Sequence, residues 1–323
     1  MLHATNRRRA PTPLRRLALP KSPRRKDPTV KTYTATVLGR RQLSAHLVTV
    51  TLGGLHDYAS TGVPDEYIRV LIPPAGEELA LPQIDDATWA ITYAEGAVEP
   101  HFRVYTISDH RVVDGETRID LDIAVHDEGV GSEWARTCRP GDVVGLIEPH
   151  GLYAAPADVG WQLLVADITG LPAVARILRG LSPSQRAVVH VVLTDAADRI
   201  ELPSPADVDV TWQVVAKDTD ICEALSDAVT SRELPESDRY VWLAGEARSS
   251  RAVRRHLRRE LRWPQADFYT CGYWQIEAEK WNARYEEVAE EVTKMSAEVQ
   301  QKIGDDQGAY LDALDDIYES VGL

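Results

Sequence analysis

The chain has 323 residues, room for two domains, with 50 acidic against 36 basic side chains and a net charge of −14. An acidic body argues against nucleic-acid binding, and no apolar run approaches the roughly 20 residues that span a bilayer. The three cysteines, Cys138, Cys222 and Cys271, lie far apart with no Cys-x-x-Cys pair, so neither a zinc site nor a disulfide framework is indicated and a reduced cytoplasm is the simplest home.

The charge is unevenly spread. Residues 1–26 hold nine Lys/Arg and no Asp/Glu, leaving −23 on the remainder. With its prolines and few large apolar residues, the segment 1–28 reads as a disordered basic leader. A nucleic-acid arm, a transit peptide and a non-folding leader remain open for it.

From 29 to 156 the pattern is β-rich. Thr32–Gly39, His46–Leu52, Tyr67–Ile72, Phe102–Ser108, Ile119–His126 and Asp142–Ile147 are short, several alternate apolar with polar residues, and Gly, Pro or Asp turns bound them. Six such strands with one brief helix predict a closed antiparallel Greek-key barrel. The acidic, weakly patterned stretch 81–100 reads as a loop over it. From 157 to 275 the pattern changes to strands at Gln162–Ala166, Ala187–Leu193, Asp209–Val215, Tyr240–Ala244 and Phe268–Tyr273. They alternate with helices at Ala173–Leu181, Asp220–Val229 and Glu246–Leu261. That alternation predicts a parallel α/β sheet whose ligands lie beyond the carboxyl ends of its strands. Residues 276–323 form a helical extension with thirteen Asp/Glu against four Lys/Arg counted from Glu277. Trp281, Tyr285, Val288 and Val292 make one apolar stripe there, expected to pack on the body or on a second subunit.

Two stretches of the barrel carry the chemistry. Arg103-Val104-Tyr105-Thr106-Ile107 places on a strand a forked donor suited to a diphosphate. Tyr105 shares the face of Arg103, where its ring can pack against an isoalloxazine or a ribityl chain. About twenty residues on, His126 precedes Gly129-Val130-Gly131-Ser132 at the start of a short helix, Ser132 to Cys138. Small residues and a hydroxyl at a helix N-terminus make an anion site. Taken without its neighbours, Arg103 is equally a strand salt bridge, Tyr105 a half-buried core residue and His126 a structural histidine.

A barrel followed by a parallel α/β domain is the layout of the ferredoxin–NADP reductase superfamily. Within it the chain resembles the siderophore-interacting proteins, or ferric-siderophore reductases, over about residues 30–274. The resemblance rests on the order and spacing of Arg103-Val104-Tyr105-Thr106, of His126 followed by Gly129 to Ala135, of Pro140-Gly141-Asp142, of Leu164 to Ala173, of Tyr240 to Ala247 and of Gly272-Tyr273-Trp274. It implies that Arg103, Tyr105, Thr106, Ile107 and Ser108 contact the flavin, and that His126, Gly129, Val130, Gly131 and Ser132 hold the rest of FAD. Where the family often has a further Arg this chain has Ser108, where it has Gly after the His this chain has Asp127, and Val130-Gly131 replaces Pro-Ala.

In the second domain Asp167-Ile168-Thr169-Gly170-Leu171-Pro172 joins a strand to a helix. Its N–H groups can receive a nicotinamide dinucleotide diphosphate or close over the flavin, so Asp167, Thr169 and Leu171 are placed at the cofactor and Gly170, Gly245, Glu246 and Arg248 at NAD(P)H. No Gly-x-Gly-x-x-Gly fingerprint is present, and a proline-started helix accounts for the same residues. The arginines at 248, 251, 254, 255, 258, 259 and 262 read as a solvated helix face. Alternatively, Arg248 and Arg251 meet a 2′-phosphate or an anionic substrate, with Lys280 and Arg284 adding a basic patch for the siderophore. Trp274 either covers the isoalloxazine or is an interdomain core residue.

The resemblance implies a cytoplasmic oxidoreductase in which FAD takes electrons from NADPH or NADH and delivers them to ferric siderophore, releasing Fe(II). No protein nucleophile, general acid or metal ligand is required, and nothing like Gly-x-Ser-x-Gly occurs. The acidic body would draw in a cationic iron chelate and repel an anionic one. Two other readings remain: a reductase of this fold with ferredoxin as partner, and a non-catalytic siderophore-binding protein. Monomer and homodimer are both open.

Overall fold

The computed structural model describes residues 30–85, 90–304 and 306–323. The basic leader lies outside the described residues. One compact unit ends at Trp274, and Gln275–Leu323 belong to another.

In the first unit β1 (Thr32–Gln42), β2 (Leu47–Leu55) and β3 (Tyr67–Ile72) are followed by β4 (Gln83–Ile84) and β5 (Ile91–Thr92), which pair as a two-stranded sheet. Next come β6 (His101–Val113), β7 (Glu116–Ala124), α1 (Val130–Thr137) and β8 (Val143–His150). The longer strands close a barrel in the order β1-β2-β7-β6-β3-β8, every pair antiparallel. Alternate residues of each strand point inward: Val48, Val50 and Leu52 from β2, and Ile119, Leu121 and Ile123 from β7, fill the interior with Trp134 and Ala135 of α1. β6 and β7 run on past their expected ends to meet at Asp114-Gly115, whose φ values of 54° and 81° suit the tight turn of a two-residue hairpin.

The second half runs β9 (Trp161–Asp167), α2 (Leu171–Gly180), β10 (Arg186–Leu193), β11 (Asp207–Val214), α3 (Ile221–Thr230), β12 (Arg239–Glu246), α4 (Ala247–Arg255) and β13 (Phe268–Trp274). The strands form one parallel sheet ordered β11-β10-β9-β12-β13. Its central strands are mostly apolar because both faces are covered. Val174, Ile177 and Leu178 of α2 pack on one face together with Leu47 from the barrel. Leu225 and Val229 of α3, with Val253 and Leu257, pack on the other. The expected single helix from Glu246 to Leu261 divides: α4 stops at Arg255 and His256–Glu260 continue as a wider π turn. The strand order reverses between β9 and β12, so a crevice opens at their carboxyl ends.

Barrel and sheet are joined by polar contacts as well as by Leu47. Asp198, only 1% exposed, accepts hydrogen bonds from the Ser44 hydroxyl at 2.7 Å and the His46 N–H at 2.6 Å, and its other oxygen lies 2.8 Å from His46 Nδ1.

The second unit is a helical hairpin, α5 (Ala278–Ile303) and α6 (Gln307–Ser320). Val288 and Val292 pack on Ile317 and Val321, and Trp281 stacks on Tyr285 at 5.2 Å with Tyr318 edge-on. The apolar stripe expected to seek the body or a second subunit is thus taken up by α6. Among the described residues no helix is long and apolar enough to cross a membrane.

Asp198→Ala strands two donors and an imidazole at the seam. It is expected to lower stability by about 1–3 kcal/mol, read as an earlier urea midpoint with unchanged slope. Asp198→Asn, which keeps one acceptor oxygen, should recover part of the loss.

Candidate functional site

The first group of site residues converges where β6 meets the start of α1. Arg103 and Tyr105 sit on one face of β6, as a strand's two-residue period requires, and both border Gly131. A methyl placed at Gly131 would collide with the Tyr105 hydroxyl and come within 3.6 Å of Arg103 Cγ. The ring of Tyr105 packs against the barrel core, so the residue turns its hydroxyl, not its face, toward the loop. Burial pushes that hydroxyl up to about 12 and keeps it a neutral donor, opposed by the nearby Arg103 charge. The Arg103 guanidinium donates to its neighbour's carbonyl, Phe102 O, at 2.7 Å.

The loop from His126 to Gly129 is held by its own helix. The His126 N–H donates to the buried Ser132 hydroxyl at 3.1 Å, and Arg136 reaches back to the carbonyls of His126 at 2.8 Å and Asp127 at 3.3 Å. Gly129 takes φ 107°, which a side chain would resist, and starts α1 with no side-chain cap. The first-turn N–H groups, the Ser132 hydroxyl and the Arg103 guanidinium form a donor set that fits the diphosphate of FAD. Asp127, whose carboxylate replaces the family's glycine, is fixed through its backbone, and its side chain is exposed.

Strand alternation separates the remaining residues of β6. Ile107 is completely buried in the barrel. Ser108, 5% exposed, spends its hydroxyl on Asp120 O at 3.2 Å. Their side chains therefore serve the barrel. On the outer face Val104 is half exposed, while Thr106, 5% exposed, is paired in register with Tyr67 of β3 and lies beside Tyr273 of β13. Burial holds the Tyr273 hydroxyl well above its ordinary range and pushes Tyr67 up to about 12.

Trp274, one residue on, points the other way. Its indole donates to Asp167 Oδ2 at 2.7 Å and its ring packs on the core beneath α3 and α4. The aromatic of β13 that lies beside Thr106 of β6 is Tyr273. The alternation of Tyr269, Cys271 and Tyr273 along one face of the last strand was the available signal for it.

At the crevice between β9 and β12, Asp167 is fully buried. It accepts from Thr169 N at 2.8 Å and Thr169 Oγ1 at 2.6 Å as well as from Trp274. Desolvation raises its carboxyl above the usual range. Gly170 and Gly245 face this turn, and a methyl at either would lie 2.5 Å from Ala244 O or Asp167 Oδ2 respectively. Leu171 is completely buried in the core under α2, and Glu246, also completely buried, caps α4 by accepting from Arg248 N at 2.7 Å and Ser249 N at 3.2 Å. Both side chains serve the fold. Arg248 is exposed and Arg251 half-buried. In the hairpin unit Lys280 pairs with Glu277, while Arg284 pairs with Glu287 at 2.8 Å and donates to Val321 O at 2.9 Å. These two cations are thus engaged within the hairpin.

A barrel with a glycine loop at its helix, abutting a parallel sheet with a crevice at its switch point, is the two-domain layout of the ferredoxin–NADP reductase type. Residues 36–153 match the siderophore-interacting FAD-binding domain and residues 159–277 match the siderophore-interacting protein domain. The chain belongs to the siderophore-interacting protein family. It is 28% identical over 264 residues to the NADPH-dependent ferric-chelate reductase of Escherichia coli, covering 79% of this chain and 97% of that protein. It is 26% identical to the ferric vibriobactin reductase ViuB of Vibrio cholerae, over 73% of this chain and 86% of that one. Among solved structures, a siderophore utilization protein from T. fusca superposes with a TM-score of 0.64 at 27% identity, covering 76% of this chain and 94% of that chain. The siderophore-interacting protein SipS from Aeromonas hydrophila superposes at 0.60 and 26% identity, covering 77% and 100%.

Gly131→Ala should lose about 1–3 kcal/mol by overpacking against Tyr105. The double variant Gly131→Ala/Tyr105→Phe should recover most of it, because without the hydroxyl the nearest ring atom is 3.4 Å away. Urea denaturation of the cofactor-free proteins measures both. Equal losses in the single and double variants would refute the contact.

Proposed function

We propose that this protein is an FAD-dependent NAD(P)H:ferric-siderophore reductase that releases iron as Fe(II). The observation that carries the reading is the convergence of Arg103, Gly131 and the uncapped first turn of α1 beside β6, within a chain whose named relatives are ferric-chelate reductases. Bound FAD supplies the chemistry, accepting a hydride from a nicotinamide and passing electrons singly to Fe(III).

The protein's part is to hold, orient and exclude water. Residues 29–156 are assigned to the flavin. Arg103, the N–H groups from Gly129 to Ser132 and the Ser132 hydroxyl grip the diphosphate. On the outer face of β6 the half-exposed Val104 offers apolar surface to the isoalloxazine, with Thr106 covered beside Tyr67. Residues 157–275 are assigned to the nicotinamide nucleotide. Its diphosphate lies beyond the carboxyl ends of β9 and β12, over the half-buried Thr169, and Arg248 and Arg251 meet its anionic end. The ferric ion is substrate and brings its ligands with the chelate. A cytoplasmic setting is supported by the three free cysteines.

The test is an anaerobic absorbance spectrum of FAD-loaded protein, taken before and after NADPH and then after a ferric catecholate or hydroxamate. Bands that bleach with NADPH and return while Fe(II) is trapped support the reading. Bleaching only by reduced ferredoxin would replace the donor, and protein that takes up no FAD would overturn it. Arg103→Ala should weaken FAD binding about thirtyfold, the equivalent of ~2 kcal/mol for a lost charge-assisted contact. Dialysis followed by flavin quantitation checks this, and stoichiometric retention would remove Arg103 from the site.

A further inference from the structure

The flavin strand is gripped from the other domain. Register in the β6–β7 ladder jumps from Ile107↔Leu121 to Asp109↔Asp120, leaving Ser108 as the extra residue of a bulge. The ladder with β3 ends at Tyr67↔Thr106. Both bulge carbonyls turn to α2, a helix of the nucleotide domain. Arg176 Nη1 donates to Ile107 O at 2.9 Å, and Arg179 Nη2 donates to Ser108 O. The same Arg176 reaches Glu66 Oε2 at 3.2 Å, and Glu66 is completely buried. The Glu66 carbonyl in turn accepts the Ile107 N–H at 2.8 Å. Ile107 is therefore tied at both of its backbone groups to one Glu–Arg pair.

Helix α2 begins at the other candidate site. Its N-cap is Gly170, directly after the Asp167–Thr169 turn of the crevice. Arg176 and Arg179, three residues apart, share the face turned to β6. At 1.5 Å per residue, Arg176 lies about 9 Å along the helix from Gly170. One short rigid element therefore carries the crevice turn at its head and holds the flavin strand from its side.

We propose that Arg176 and Arg179 are positioning residues for hydride transfer, setting the crevice at the head of α2 at a fixed distance from the strand that carries Tyr105 and Thr106. The proposal rests on the reductase reading and adds to it a pair of residues that touches neither cofactor nor substrate. Hydride transfer is sensitive to sub-ångström placement of donor and acceptor, whereas electron transfer from the reduced protein to an external chelate makes no use of the α2–β6 distance. The two half-reactions should therefore respond differently.

The test compares wild type with Arg179→Ala, Arg179→Lys and the double variant Glu66→Gln/Arg176→Met. The double variant removes both members of the buried pair, so that no uncompensated charge is left to unfold the protein. Three quantities are read: the limiting rate of anaerobic flavin bleaching by NADPH, the rate at which dithionite-reduced protein is reoxidised by a ferric catecholate, and amide exchange of residues 104–112 in cofactor-free protein. The expected result is NADPH bleaching slowed up to about a hundredfold in the double variant, with FAD content and chelate reoxidation unchanged and exchange at the bulge accelerated. Arg179→Lys should restore the rate that Arg179→Ala loses, because a single carbonyl needs only one donor. Equal slowing of both half-reactions, faster exchange with unchanged bleaching, or unchanged exchange would each overturn the proposal. Failure of the reductase reading has a separate signature, wild-type protein that NADPH does not bleach. It takes the positioning role with it, while amide exchange still decides whether the arginines hold the strand.

Discussion

Two adjacent acidic residues, Asp65 and Glu66, are buried at the seam between barrel and sheet, and a buried carboxyl has to be satisfied or it unfolds its surroundings. Asp65, 1% exposed, accepts from Leu152 N at 2.7 Å and from the indole of Trp242 at 3.2 Å, and desolvation raises its carboxyl above the usual range. Glu66 accepts from the Ser60 hydroxyl at 2.9 Å, from the Thr61 N–H and from Arg176. Between them the two side chains bind the segment leading into β3, the exit from β8, the middle of β12 and the side of α2. The relative placement of the two domains in this unit is set by these hydrogen bonds as much as by apolar burial at Leu47. Such bonds tolerate little sliding, because a shift of about an ångström leaves a charge unpaired.

That constraint explains why the candidate cofactor surfaces are assembled from several elements and yet well defined. The anion loop is closed on itself by Ser132 and Arg136, and the crevice turn by Asp167, Thr169 and Trp274. Each is a local polar knot whose carbonyls and N–H groups are already oriented before anything binds. Preorganisation of this kind lowers the cost of binding a long, flexible dinucleotide.

Much of the architecture was legible in the sequence because strand period and turn residues are local signals. Six barrel strands, five sheet strands and the short helix after the glycine loop all lie near their expected places. What was not legible depends on partners distant in sequence. Asp114-Gly115 is a strong hairpin signal that extends β6 and β7, yet its flanks are too polar to stand out by hydrophobic alternation. Glu246 and Leu171 sit where a nucleotide ligand is expected in such a sheet, and only burial reveals one as a helix cap and the other as core. The choice between Tyr273 and Trp274 turned on which face of β13 meets the barrel, and that is fixed by pairing with β12. Arg176 and Arg179 look in the sequence like any solvated helix cations, because their acceptors are backbone carbonyls of a bulge 69 and 71 residues away.

The barrel also has an order of assembly written into its pairing. β1 lies between β2, its immediate successor, and β8, with Thr32 opposite Ile147. β3 lies between β6 and β8. As the chain leaves the ribosome, β1 and β2 can meet early, but each of β1 and β3 keeps one edge open until Val143–His150 has emerged. β3, buried along its whole length in the finished protein, spends that interval as an unprotected apolar edge. This half of the chain is therefore open to edge-to-edge association during synthesis until the last barrel strand closes both gaps at once.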